Sequence, residues 1–295
     1  LLKTHNLHFL KTFDLLIFAA GTWHPRHHIA RNFKSWYKNV KIPYMAVGLG
    51  VEKTKDKTCL ANYNYFVENA DFVLVRDQES CEALGGSSKI NIGPDITWFD
   101  PFPIDEDYNS NKSLYFNLRP QKNAQDVLNH FDKIEGIYNS KFYSLSPEDY
   151  EVAIEVGFKK DQISEFDKTR TFINAKLIYG MRFHSSIFAQ QQAIPHFNLV
   201  YHEKVSSLST NFRSYINNSK EFASVSSINN FQKSLTNELL LKERNILLEN
   251  RKQIVRNANH YKSLFLEKLL DVPKNDFITS YKYRISNKLL KWLGK

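Results

Sequence analysis

The feature of the sequence that most constrains the fold is the stretch over residues 175–205. It begins with a short apolar run, typical of a buried strand, which Gly180 ends. Ser185 and Ser186 are suited to cap a helix over residues 187–192, and a second apolar run follows that helix. Strand, turn, helix and strand in this order form the repeating unit of a parallel α/β sheet.

Three side chains able to bind an anion follow these predicted strands. Arg182 and His184 come directly after the first strand, and Lys204 follows the second. Ligands of parallel sheets lie at the carboxyl ends of the strands, beside helix N-termini. Two cations and an imidazole that titrates near neutral pH therefore favour an anionic ligand. The alternative is an ordinary surface pair, because an Arg-x-His pattern also arises by chance.

The composition is that of a globular α/β protein. The 295 residues suffice for two α/β domains, and a hydrophobic content of 42% excludes general disorder. No apolar run approaches the roughly 18–20 residues needed to cross a bilayer, and no signal segment begins the chain. These features predict a cytoplasmic location. Cys59 and Cys81 have no metal-ligand spacing, and we expect both to be reduced.

Part of the net charge of +9 is concentrated at the end of the chain, where no acidic residue follows residue 277. A helix there would place basic side chains on one face and apolar side chains on the other: Arg284, Lys288, Lys291 and Lys295 against Ile285, Leu289, Trp292 and Leu293. Such a segment suits an anionic membrane surface, a partner protein or the rest of its own chain. No nucleic-acid-binding motif is present, and we expect no nucleic-acid partner.

Two strands of the first half end in glycines. A predicted strand over residues 13–20 ends at Gly21, where backbone N–H groups can approach a ligand closely; a simple tight turn is the alternative. A second predicted strand, over 42–47, ends at Gly48 and Gly50. The full dinucleotide-binding fingerprint is missing, so this pattern predicts no nicotinamide site.

Polar side chains follow the next two predicted strands. Arg76 and Asp77 follow one strand, and Asp95 follows the other after Gly93-Pro94. We expect them at the same edge of the sheet, where carboxylates can accept hydrogen bonds from sugar hydroxyls. The alternatives are a structural ion pair between Arg76 and Asp77 and a turn-forming role for Asp95.

A polar, proline-bearing segment over residues 100–112 predicts a linker. The strand pattern restarts after it and reaches Arg119 at the end of the first new strand. We therefore predict an N-terminal domain over residues 1–105, a C-terminal domain over 106–235 and a helical tail over 236–295.

Four segments of the chain resemble the polysaccharide pyruvyl transferase family. They are FDLLIFAAGTW, IPYMAVGLGVE, ADFVLVRDQESCEALGG with the later NIGPDITWF, and AKLIYGMRFHSSIFAQQQAIPHFNLVYHEKV. Together they cover about residues 13–205, in the order of the family. The resemblance implies an α/β, glycosyltransferase-B-like fold, with two Rossmann-like domains facing a cleft and C-terminal helices.

The resemblance also implies an activity. The enolpyruvyl group of phosphoenolpyruvate would pass to a sugar of a cell-surface polysaccharide, such as an exopolysaccharide or capsule, or to its lipid-linked precursor. A pyruvate ketal would form, with no metal or organic cofactor. Arg182 and His184 would be catalytic and would bind phosphoenolpyruvate with Arg119. As a hypothesis, Lys204 neutralises the departing phosphate.

The acceptor is expected on the first domain, and we predict Gly21, Arg76, Asp77 and Asp95 as its binding residues. A lipid-linked acceptor would agree with peripheral contact between the basic tail and the inner face of the membrane. Family members usually begin with a strand and an Asn-x-Gly-Asp-type turn, which has no counterpart here. We therefore expect the first strand to be missing from this chain, which bears on its activity.

Two alternatives to the predicted function stay open. One is a glycosyltransferase of the same fold that uses a sugar nucleotide, whose diphosphate the Arg and Lys side chains would bind. The other is a non-catalytic scaffold of a glycan-assembly complex, because a fold does not determine a function.

Overall fold

The computed structural model describes residues 13–19, 21–104, 106, 108, 113–120, 127, 129–134, 140–166, 172–198 and 225–271. The chain divides into two compact units. Unit 1 comprises residues 1–100 and 253–295, and unit 2 comprises residues 101–252. The first division falls within the predicted linker. The predicted helical tail does not form a unit of its own, because its residues are shared between units 1 and 2.

Unit 1 is an α/β layer around a parallel sheet. Its elements in chain order are β1 (Leu16–Ala19), β2 (Thr22–Trp23), α1 (His28–Val40), β3 (Tyr44–Val51), α2 (Lys57–Asn69), β4 (Phe72–Val75), α3 (Gln78–Ala83) and β5 (Ile90–Ile92). The strand order is β1-β3-β4-β5, with β2 paired to β3, and every pairing is parallel. Every residue of β3 and β4 is buried, which explains their continuous apolar sequences.

The prediction that β3 ends before Gly48 is wrong. The strand continues to Val51, and its pairing with β4 shifts register between Val47 and Leu49. Gly48 lies at this shift with a φ of 66°, a left-handed conformation that glycine adopts without steric cost. The glycine therefore forms an irregularity within the strand and does not terminate it.

Unit 2 contains a second, entirely parallel sheet. Its elements are β6 (Ser113–Asn117), β7 (Ser140–Ser144), α4 (Pro147–Glu155), β8 (Ile163–Glu165), β9 (Ala175–Gly180), α5 (Phe183–Gln191), β10 (His196–Asn198) and α6 (Val225–Ser234). The strand order is β10-β9-β6-β7-β8. Phe116 of β6 and Tyr179 of β9 stack at 4.9 Å in its core.

Helix α5 begins earlier than the sequence predicts. It starts at Phe183, with Arg182 as the residue preceding it. Ser185 and Ser186 are buried within the first turn, and the Ser185 hydroxyl donates to the Arg182 carbonyl at 2.6 Å. The prediction that these serines cap the helix is therefore wrong. Gly180 lies directly against the Ser185 hydroxyl, where a Cβ atom would not fit.

A long helix, α7 (Asn237–Leu270), follows α6 and forms nearly all of the described part of the predicted helical tail. Residues of α7 up to Lys252 belong to unit 2, and those from Gln253 belong to unit 1. All of the predicted amphipathic helix at the end of the chain lies outside the described residues. Within the described part of the chain, no helix has the length and apolarity needed to span a membrane.

Candidate functional site

Several polar side chains meet at one edge of the unit 2 sheet. Because all strands of this sheet are parallel, their carboxyl ends lie at the same edge, which Asn117, Ser144, Gly180 and Asn198 mark. We call it the carboxyl edge of unit 2. The Met181 amide donates to the Asn117 carbonyl at 2.8 Å, which extends the contact between β9 and β6 to the start of α5.

Arg182 lies at this edge and binds the carboxylate of Asp149. Its Nε is 2.8 Å and 2.7 Å from the two carboxylate oxygens, and its Nη2 is 2.6 Å from Oδ1. The same Nη2 donates to the Ser146 hydroxyl at 2.6 Å and lies 3.6 Å from a Glu148 oxygen. The side chain is 22% exposed, whereas that of Asp149 is fully buried. The guanidinium is therefore held in a fixed orientation beside a compensating negative charge.

Asp149 is the centre of a buried hydrogen-bond network. It also accepts from the Asn117 side-chain amide at 3.2 Å and from the Leu145 backbone N–H at 3.1 Å. The Asn117 side-chain oxygen in turn accepts from the Arg182 backbone N–H at 3.0 Å. The network joins β6, the start of α4 and the start of α5. A buried carboxylate needs this many donors, since burial without them would be costly.

The structure places two more predicted residues at the same edge, and a third lies outside the described residues. His184 is half-buried in the first turn of α5, with its ring 5.8 Å from that of Phe188. Arg119 follows the end of β6 and is half-buried. Lys204 lies outside the described residues. Arg119, Arg182 and His184 thus share the carboxyl edge of unit 2.

A pocket of about 360 Å³ lies at the carboxyl ends of β7 and β8. The described residues that line it come from the end of β7, the start of α4 and the end of β8: Ser144, Ser146, Tyr150, Glu151, Glu165 and Phe166 among them. Ser146 belongs to both the pocket wall and the Arg182 network, so the pocket adjoins the guanidinium.

Arg76 occupies the corresponding edge of the unit 1 sheet. Its side chain is only 4% exposed. Its Nε lies 3.3 Å from Asp77 Oδ2, its Nη2 donates to the Thr22 hydroxyl at 3.0 Å, and its Nη1 lies 3.9 Å from Asp95 Oδ2. A Cβ at Gly50 would collide with the guanidinium, so this glycine makes room for it.

The two acids around Arg76 also cap the segments that follow them. Asp77 accepts from the Ser80 N–H at 2.7 Å at the start of α3, and Asp95 accepts from the Thr97 N–H at 3.0 Å. Gly21 has a φ of 77°, and its carbonyl accepts from the Gly50 N–H at 3.0 Å. The ion pair between Arg76 and Asp77, which the sequence offered as the structural alternative, is therefore present. Acceptor binding by these residues stays a prediction.

Sequence reasoning missed the roles of Asp149 and Asn117. The signal available for Asp149 was its position after Ser146 at a helix start, where acids are common because they complement the helix dipole. Nothing in that signal identifies a distant arginine as the partner. Across the described ranges, no group of three His, Cys, Asp or Glu side chains is arranged to hold a metal ion.

The two parallel α/β units followed by C-terminal helices form a glycosyltransferase-B-like fold. The UDP-GlcNAc 2-epimerase from Neisseria meningitidis, solved with UDP-GlcNAc bound, matches over 90% of this chain and 80% of its own, with 12% identity and a TM-score of 0.55. A Listeria monocytogenes protein assigned as a UDP-N-acetylglucosamine 2-epimerase matches over 94% and 82%, with 12% identity and a TM-score of 0.52. At this identity the likeness shows the fold alone.

The chain belongs to the polysaccharide pyruvyl transferase family, whose family model matches residues 2–203. The resemblance and the fold class predicted from the sequence are thereby confirmed. No curated protein matches the chain.

Proposed function

We propose that this protein transfers the enolpyruvyl group of phosphoenolpyruvate to a sugar of a cell-surface polysaccharide or its lipid-linked precursor. The observation that carries the proposal is membership of the polysaccharide pyruvyl transferase family over residues 2–203, a range that includes Arg119, Arg182 and His184. The location of these three residues at one sheet edge supports it, because parallel α/β sheets bind ligands there.

In this proposal Arg182 binds phosphoenolpyruvate as a pre-oriented group. The contact with Asp149 fixes the plane of the guanidinium, so little side-chain entropy is lost when a substrate carboxylate or phosphate arrives. The same contact reduces the net charge at this point. Further positive charge is therefore needed to hold a strongly anionic substrate, and we assign that role to Arg119 and Lys204.

The reaction has a simple balance of bonds and protons. The methylene carbon of phosphoenolpyruvate gains a proton and becomes a methyl group, and positive character develops at the neighbouring carbon. One sugar hydroxyl adds to that carbon, the bond to the phosphate oxygen breaks, and a second hydroxyl closes the ketal. Of the two protons released by the sugar hydroxyls, one accounts for the proton gained by the methyl carbon and the other leaves on the phosphate. His184, as an imidazole, is suited to move such a proton, for about 10²–10⁴-fold in rate.

For the acceptor we propose the carboxyl edge of unit 1, with Gly21, Arg76, Asp77 and Asp95. This assignment is supported by the location of Arg76 and of the two acids that it contacts, Asp77 and Asp95, at the carboxyl ends of β4 and β5, where parallel sheets bind ligands. A lipid-linked acceptor would also give the basic segment after residue 277 a role at the inner face of the membrane. In a flotation assay, we expect the full chain to float with anionic liposomes and a chain ending at residue 277 not to do so.

Calorimetric titration of the full chain with phosphoenolpyruvate, and separately with UDP-GlcNAc, tests the proposed function. We expect saturable binding of phosphoenolpyruvate that Arg182→Ala weakens by roughly 2–4 kcal/mol, the range for a lost charge-assisted contact. Arg31→Ala is the matched control, because Arg31 forms an exposed ion pair with Asp56 at 2.9 Å in unit 1. It should leave the affinity unchanged.

A double variant separates direct binding from a structural effect of Arg182. Arg182→Ala leaves the buried Asp149 without its partner, and Arg182→Ala with Asp149→Asn removes that unpaired charge. We expect phosphoenolpyruvate affinity to stay low in the double variant. Recovery of affinity would show that Arg182 acts only on the structure. Binding of UDP-GlcNAc alone would favour the sugar-nucleotide glycosyltransferase, and binding of neither ligand would favour the scaffold.

A further inference from the structure

We propose that the pocket at the carboxyl ends of β7 and β8 is a subsite for a neutral hexopyranose ring. The identification of that ring as the acceptor sugar rests on the proposed function, whereas the pocket itself does not. A volume of about 360 Å³ is at the lower end of the roughly 300–1,000 Å³ range of ligand pockets, which suits one sugar ring.

The acidic side chains among the described lining residues disfavour an anion in the pocket. Its described lining residues include the carboxylates of Glu151 and Glu165 and no cationic side chain. The guanidinium of Arg182, which contacts Ser146 of the pocket wall, is compensated by Asp149. A carboxylate or phosphate entering here would meet the like charge of Glu151, which disfavours phosphoenolpyruvate in this pocket. The ligand is therefore expected to be uncharged.

The polar groups of the pocket are matched to hydroxyl donors. Ionised carboxylates only accept hydrogen bonds, and hydrogen bonds to a charged group are the stronger ones. A sugar ring carries several hydroxyl groups that can donate. Glu151 lies on α4 and Glu165 at the end of β8, so the two carboxylates approach the pocket from different elements.

Aromatic side chains supply the apolar part of the wall. The ring of Phe166 stacks on that of Phe188 at 5.3 Å with an interplanar angle of 4°, so its plane is fixed. Tyr150 of α4 is half-buried and also lines the pocket. A rigid aromatic surface beside carboxylates matches a sugar ring, which has an apolar C–H face and polar edges.

The pocket lies next to Arg182, which the proposed function places in the phosphoenolpyruvate site. Ser146 lines the pocket, and its hydroxyl accepts from Arg182 at 2.6 Å. A sugar bound there would have its hydroxyl groups near the proposed phosphoenolpyruvate site, as attack on the enol carbon requires. Unit 2 would then contribute to binding both the donor and the acceptor.

Saturation-transfer NMR of the full chain with methyl β-D-glucopyranoside, methyl β-D-galactopyranoside and methyl β-D-mannopyranoside tests the subsite. We expect at least one glycoside to receive saturation at its ring C–H protons. Glu151→Gln should weaken its affinity by about tenfold, because the hydrogen bond then has a neutral amide oxygen as acceptor in place of a charged carboxylate. Glu155→Gln is the matched control, since Glu155 is an exposed residue of the same helix that does not line the pocket. It should change nothing.

A second variant, at a different lining residue, tests the aromatic part of the wall independently of the carboxylate. Phe166→Leu retains apolar volume but removes the aromatic surface, and it should also reduce saturation of the glycoside. The subsite proposal is overturned if no glycoside is saturated by the unchanged chain, or if Glu151→Gln and Phe166→Leu both bind as the unchanged chain does.

Titration of phosphoenolpyruvate into the same samples separates this proposal from the proposed function. Binding of phosphoenolpyruvate without glycoside binding would overturn the subsite alone. Glycoside binding without phosphoenolpyruvate binding would contradict the proposed function and leave the subsite in place. A UDP-glucose sample identifies the source of the sugar, because saturation of its hexose but of no methyl glycoside would overturn the acceptor subsite and indicate binding of a nucleotide sugar instead.

Discussion

At the scale of single residues, the contact between Arg182 and Asp149 gives the clearest prediction. Asp149→Asn keeps the size of the side chain but removes the charge opposite the guanidinium. We expect the free energy of unfolding to fall by about 3 kcal/mol, as for other broken buried ion pairs. Urea denaturation measures this. Asp161→Asn, at an exposed position, should change stability by less than about 0.5 kcal/mol. Equal stability of the two variants would show that the pair contributes nothing.

Two buried tyrosines of unit 1 provide a matched pair of substitutions. The Tyr63 hydroxyl is buried and makes no hydrogen bond among the described residues, whereas the Tyr44 hydroxyl donates to the Phe66 carbonyl at 2.6 Å. Tyr63→Phe should therefore leave stability unchanged or raise it, and Tyr44→Phe should cost about 1 kcal/mol. Thermal unfolding of both variants tests this. The opposite order of stabilities would contradict the assigned contacts.

Tyr63 makes the free energy of unfolding depend on pH in the alkaline range. Burial raises the pKa of Tyr63 to about 12, above the value of about 10 in an unfolded chain. Below pH 10 both states keep the proton, and the contribution is fully present. Between pH 10 and 12 the unfolded state loses the proton first, so stability falls. Tyr63→Phe should show a shallower decrease across this range in urea denaturation, and an unchanged slope would refute the shifted pKa.

Sequence patterns could locate Arg182 and His184 but not their partners. Both follow a strand that ends at Gly180, and a residue at that position lies at the carboxyl edge of a parallel sheet. The partner of Arg182 is separated from it in sequence and becomes adjacent only when β7 and β9 join the same sheet. An acid in the first turn of α4 has a local explanation as well, and sequence alone does not choose between the two.

At the scale of secondary structure, α5 depends on contacts from α7. Arg244 donates to the Ala193 carbonyl at 2.9 Å, and Arg251 donates to the Gln191 carbonyl at 2.6 Å. Gln191 is the last residue of α5 and Ala193 lies two residues beyond it, at the end of the helix where cations complement the helix dipole. The helix that begins beside Arg182 is therefore held at its other end by two arginines.

Arg251→Met tests this arrangement, because methionine keeps apolar length and removes the donors. We expect a loss of about 1–3 kcal/mol and faster hydrogen exchange in the last turn of α5. Lys252→Met is the control, since Lys252 forms an exposed ion pair with Glu249 on the same helix. Unchanged exchange in α5 after Arg251→Met would contradict a role for this contact.

Element types were predictable from the sequence to a greater extent than element ends. The apolar runs that became β4 and β9 are continuous, as expected for strands covered on both faces. The predicted end of β3 and the predicted start of α5 were wrong, because residues that often mark element ends, Gly48 and the pair Ser185-Ser186, here lie inside an element. Tertiary packing decides which of the two applies.

At the scale of the whole molecule, the described residues of unit 1 and of unit 2 each form a hydrophobic core. Phe265 of α7 is 3% exposed and lies 6.3 Å from Phe72 of β4 in unit 1. Phe265→Ala should destabilise unit 1 by about 3–4 kcal/mol through the cavity it leaves. Hydrogen exchange should then accelerate in β4 more than in β9. Leu270→Ala, at a position 68% exposed, is the control.

The proline-bearing polar segment over residues 100–112, which separates two series of strands, contains the boundary between units 1 and 2. The division of α7 between the units was not visible in the sequence. A long helix rich in Leu and Lys has apolar positions on several faces, and its sequence does not state which sheet each turn covers.

Whether the carboxyl edge of unit 2 binds phosphoenolpyruvate is tested by a crystal structure of the full chain with phosphoenolpyruvate bound. We expect a carboxylate or phosphate oxygen within hydrogen-bond distance of Arg182, with His184 near the enol carbons. Phosphoenolpyruvate bound elsewhere, with Arg182 contacting only Asp149 and its neighbours, would refute the proposed binding site.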